Sequence, residues 1–72
     1  MKSIRMTVLQ VLIAIPEPLT VSGLRLRMGE VKGLQDKLDA LVRAGHVVRY
    51  ADGTFAITNS GHAYYVAQEA TP

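Results

Sequence analysis

Apolar and polar residues alternate along the chain with two different periods. Ile4, Val8, Val11, Leu12 and Ile15 recur at helical spacing and define one face. Ser3 is placed to cap this first helix, and Pro16 and Pro18 stop it, which predicts a helix over about 4–15. Met6, Leu9 and Ile13 widen its apolar face beyond the ~100° stripe of a surface helix. It is therefore expected to pack on two sides, against another element or another subunit. Thr20 caps a second helix over 21–28, with Gly29 as its left-handed terminator. Val21, Leu24 and Met28 share its inner face, and Leu26 points away from the core. Leu24 to Met28 also alternate as a strand would, but the cap and the glycine favour a helix. Leu34, Leu38, Leu41 and Val42 give the clearest helical period, over about 32–44, ending at Gly45. Lys32, Asp36, Asp39 and Arg43 lie opposite as two i, i+4 pairs able to neutralise each other.

After Gly45 the period changes to two. Runs at 47–50 and 54–57 flank Asp52-Gly53, a strong hairpin signal. A two-residue type I′ turn, with positive φ at both positions, would pair Tyr50 with Phe55 and Val48 with Ile57. Thr58 then caps a last helix to about 68. Its small face of Ala63, Val66, Ala67 and Ala70 is expected to cover the first helix, leaving Tyr65 outward. Residues 69–72 should fray as a tail.

Composition narrows the function. Seventy-two residues, 49% hydrophobic and 19% charged, describe a single globular domain over 1–72 with its core at about 4–68. So short a chain argues against an ordinary enzyme, whose clefts need more scaffold. No serine has an adjacent base at fixed spacing, no glycine-rich loop follows a strand, and the acids are scattered. No cofactor or metal is expected: the chain has no cysteine and only two histidines, His46 and His62. His46 is placed at the hairpin base with one ring nitrogen hydrogen-bonded, and His62 is expected to be exposed. Lys2 and Arg5 precede an apolar run, as in a secretory leader. Thr7 and Gln10 interrupt that run, however, and no small-x-small cleavage site follows it. A cytoplasmic location is the expectation. The net charge of +2 suits nucleic acid without requiring it.

The predicted class is mainly α with a small β-hairpin, in the order helix-helix-helix-hairpin-helix. This is the layout of a winged helix-turn-helix. Three stretches carry the resemblance: Leu19-Thr20-Val21-Ser22-Gly23-Leu24; Leu34-x-x-x-Leu38-x-x-Leu41-x-x-Ala44-Gly45-His46-Val47; and Gly53-Thr54-Phe55-Ala56-Ile57-Thr58-Asn59-Ser60-Gly61. The chain resembles MarR/PadR-like bacterial regulators over about 6–66. It departs from their pattern in a shorter turn at Gly29-Glu30-Val31 and in His46, where an aliphatic residue is usual. The resemblance implies a transcriptional regulator that binds double-stranded DNA with its third helix in the major groove and its wing on the backbone. By position, Lys32, Gly33, Gln35 and Lys37 would start that helix, with Gln35 suited to adenine and the lysines to guanine or phosphate. Arg25, Arg27 and Arg49 would contact phosphates, with Tyr50 beside them.

A second class stays open: a winged-helix module that binds a protein and has no DNA contact. Asp36 and Asp39 favour it, as do Leu26 and an outward Tyr65, which would offer a partner surface. A homodimer is expected through the first and last helices, with Met6, Leu9, Ile13 and Tyr65 as candidate interface residues.

Overall fold

The computed structural model describes residues 3–70. Four helices and one antiparallel hairpin follow one another as α1 (Ile4–Ala14), α2 (Val21–Met28), α3 (Leu34–Arg43), β1 (Val47–Arg49), β2 (Phe55–Ile57) and α4 (Asn59–Ala70). Each helix start has a local cause. The Ser3 side chain accepts the Met6 amide, Thr20 accepts that of Gly23, and Thr58 accepts that of Gly61. Gly29 ends α2 at φ +82°, ψ −173°: φ is positive, as glycine allows, but ψ lies outside the expected left-handed helical region. α3 ends in a Schellman motif: the Gly45 amide donates to the Val42 carbonyl and the His46 amide to that of Leu41.

The expected start of α3 is corrected. Lys32 and Gly33 precede the helix, and Gly33 caps it at φ +79°, ψ 16° with no side-chain hydrogen bond. The buried face of α3 is as read from the spacing: Leu34, Leu38 and Leu41 are buried and Val42 packs beside them. α1 sits at the centre, against α2, α3, α4 and β2. Val8 and Leu9 are fully buried and Leu12 nearly so. The wide apolar face of α1 is thus covered largely within the chain, with Ile4, Met6, Val11 and Ile15 partly buried against the core.

The hairpin register differs from the expected one by one residue. Val47 pairs with Ile57, Val48 with Ala56 and Arg49 with Phe55. Tyr50 then faces Thr54, to whose carbonyl it donates, and Ala51, Asp52 and Gly53 form a three-residue loop. The Gly53 amide donates back to the Tyr50 carbonyl. Among the described residues only glycines have positive φ, so Asp52 is not left-handed and the type I′ expectation fails. Instead the Asp52 carboxylate accepts both the amide and the hydroxyl of Thr54, at 3.1 and 2.6 Å. That local pair of bonds holds the longer loop. Gly53 closes it at φ +86°. Gly53→Val is expected to destabilise the domain by roughly 1–2 kcal/mol, the cost of forcing a side chain into that region. A lowered thermal midpoint would show it; an unchanged one would rule out this turn.

A bridge outside the hairpin fixes its position. Leu19 and Phe55 exchange both backbone hydrogen bonds, at 2.9 and 2.7 Å. The link between α1 and α2 is thereby stitched to β2, and both residues are buried.

The expectation for α4 is reversed. Ala63, Ala67 and Ala70 are exposed, and Val66 is 51% exposed. Gly61 and Tyr65 face inward instead: Gly61 is buried and Tyr65 packs against the core. The cause is a close approach of backbones. A Cβ at Gly61 would run into the His46 carbonyl, whose carbon would lie 2.8 Å away. Only glycine lets α4 come so near, and that approach sets which of its faces turns inward. The helix also continues through Ala70, so residues 69–70 are not frayed, and the rest of the predicted tail lies outside the described residues.

Candidate nucleic-acid interface

At 100° per residue, the outward face of α3 is centred on Asp36 and Arg43, with Asp39 and Ala40 to either side. Gln35 lies on one flank and Lys37 on the other. The charges at the helix ends have a structural reason of their own. Asp36 in the first turn and Arg43 in the last both complement the helix dipole. The expected Asp39–Arg43 pairing is replaced by another contact: Gln35 donates its side-chain amide to the Asp39 carboxylate at 3.2 Å. Gln35 is exposed, so this bond is readily exchanged for one to a base edge.

The remaining cations are spread over three elements. Lys32 is exposed in the turn before α3. Arg25 and Arg27 are exposed in the last turn of α2, on opposite sides of Leu26, which is 88% exposed. They therefore do not converge on one point. Arg49 is exposed on β1. The tip of the hairpin is acidic: hydrogen bonds from Thr54 hold the Asp52 carboxyl below its ordinary pKa, so it stays charged at neutral pH. Tyr50 does not join these cations around α3. It lines a cavity of about 380 Å³ with Ile13, Pro16, Pro18 and His62, between the end of α1 and the hairpin.

Of the candidate interface residues, Leu9 is fully buried and offers no outward surface, while Tyr65 is half-buried with one side packed against the core. Met6 and Ile13 remain half-buried. His46 is at the hairpin base as expected, its Nδ1 3.4 Å from the Ser60 hydroxyl. Its ring stacks on Tyr64 with centroids 4.4 Å apart. His62 is exposed, as expected.

One grouping was missed by sequence reasoning. Arg5, from the first turn of α1, and Lys37, from α3, line the same cavity of about 380 Å³, with Ser3, Ile4 and Tyr64. In the sequence Arg5 reads only as a charge before an apolar run. Nothing local links it to Lys37, which lies 32 positions later.

Among the described residues no helix is long and apolar enough to cross a membrane. No family model, curated protein or solved structure matches the chain.

Proposed function

We propose that the chain is a winged helix-turn-helix domain that binds duplex DNA as a transcriptional regulator, with α3 in the major groove and the β1–β2 hairpin as the wing. The observation that carries this reading is the Leu19–Phe55 bridge: it ties the hairpin to the α1–α2 link just before α2, while α3 packs on β1 of the same hairpin. Exposed cations on α2, before α3 and on β1 support it. Arg25, Arg27 and Arg49 contact phosphates, while Gln35 reads a base edge. Lys32 and the Gly33 turn bring the start of α3 to the groove. No cofactor and no catalysis belong to this role, and its place is the cytoplasm. A homodimer would present two half-sites about one DNA turn apart.

A salt titration tests the reading. Each phosphate contact contributes about −0.9 to the slope of log affinity against log salt. Three to five contacts per protomer predict a slope of roughly −3 to −5, about doubled in a dimer. Arg27→Ala or Arg49→Ala is expected to flatten it by about one unit per protomer and weaken all sequences alike. Gln35→Ala is expected to relax preference at one base position with the slope nearly unchanged. No binding to mixed-sequence duplex at low ionic strength would overturn the reading.

The second reading is a protein-interaction module, favoured by one observation: the outward face of α3 carries Asp36 and Asp39 while Leu26 stands almost fully exposed. Under it a basic partner meets α3 and DNA affinity is negligible.

A further inference from the structure

The outward face of α3 poses an electrostatic problem for a DNA-binding helix. Asp36 and Asp39 point where a groove would be, and both repel phosphate. Phosphates, however, flank a helix lying in the major groove; they do not line the groove floor. The flank therefore matters more than the centre. On the flank opposite Gln35, Lys37 meets Arg5 at the cavity between α1, α3 and α4. Among the described residues no acidic side chain lines that cavity. Two cations share a concave site with no counter-charge among the described residues of its walls, an arrangement that favours an anion. Tyr64 supplies a wall, and its ring is held by stacking on His46.

We infer that Arg5 and Lys37 hold one backbone phosphate of duplex DNA in this cavity, an inference that rests on the DNA-binding reading. Arg5 offers a planar fork of donors and Lys37 a point charge. The site lies on two helices that pack directly on each other, so its two cations are set by the core and not by a loop. It gives α3 a phosphate anchor on the side that Arg25, Arg27 and Arg49 do not supply from α3 itself.

The test measures duplex affinity against salt for the full chain and for Arg5→Gln, Lys37→Gln and the double variant, with Arg27→Ala for comparison. Arg5 is exposed and Lys37 half-buried, so circular dichroism of these variants should match the parent. The expected result is a lower affinity at low salt and a slope flatter by about one unit for the single variants. Because the two residues share one phosphate, the double variant should lose about one unit in all, no more than either single variant; a loss of about two units would mean two separate phosphates and overturn the clamp. Arg5→Lys, which keeps the charge, should retain the parent slope. A parent slope in all three Gln variants, with Arg27→Ala flattening it, would overturn the clamp and leave the DNA reading standing. A parent that binds no duplex at low salt would remove that reading and the clamp with it. A parallel titration with inorganic phosphate, followed by NMR, separates the other source. Saturable shifts at Arg5 and Tyr64, with DNA slopes unchanged in the variants, would assign the cavity to free phosphate and overturn the DNA clamp.

Discussion

Leu38→Ala is expected to lower the unfolding free energy by ~2–5 kcal/mol. Leu38 is fully buried on α3, between the buried Leu34 and Leu41. α3 packs on α1 and β1, so a cavity there lies at the meeting of three elements. A domain of 72 residues holds only about 4–10 kcal/mol in total. The substitution therefore removes about half of the stability. A urea titration should show a much lower midpoint, with the slope near that of the parent. Arg43→Ala, on the exposed face of the same helix, should stay within about 0.5 kcal/mol. Equal midpoints for Leu38→Ala and the parent would mean that the buried face of α3 has been misassigned.

Gly61→Ala is the second large effect, and its sign is the informative part. Within a helix, glycine to alanine ordinarily gains about 1 kcal/mol. Here the added Cβ meets the His46 carbonyl and comes within 2.9 Å of the Ile57 side chain. The carbonyl is backbone and is already fixed, since it accepts the Thr58 amide at 3.1 Å. Overpacking of this kind costs typically 1–3 kcal/mol, which outweighs the propensity gain. The thermal midpoint is expected to fall by about 4–8 °C for each kcal/mol lost. Displacing α4 would also loosen the Thr58 hydroxyl, which donates to the Gly45 carbonyl at 2.7 Å. A midpoint equal to or above the parent's would show that α4 does not approach the α3–β1 junction this closely.

These two residues frame the functional question. The core built on Leu38 positions the outward face of α3, whose charges serve the helix itself as well as any partner. Asp36 and Arg43 complement the helix dipole whether or not DNA is bound. The charge pattern of α3 therefore does not by itself distinguish the two readings, and the salt dependence of binding does.

Much of the architecture is written locally. Ser3, Thr20 and Thr58 start their helices because a hydroxyl can accept the amide three residues on. Leu34, Leu38 and Leu41 mark a buried stripe because helical geometry brings them to one side. Where two backbones or two distant segments meet, the sequence pattern is silent. Asp52-Gly53 suggests a two-residue turn, but the Asp52 carboxylate binds Thr54 and shifts the register by one. That shift, with the bridge to Leu19, settles which hairpin residues face the core. The alanines of α4 read as its inner face, yet the contact at Gly61 turns Tyr65 inward instead. Arg5 and Lys37 share a cavity only because α1 and α3 pack together. The caps and the stripe of α3 depend on neighbours within one turn of chain, so sequence alone determined them. Register, helix rotation and the pairing of distant charges depend on contacts between elements, and only the tertiary structure decided those.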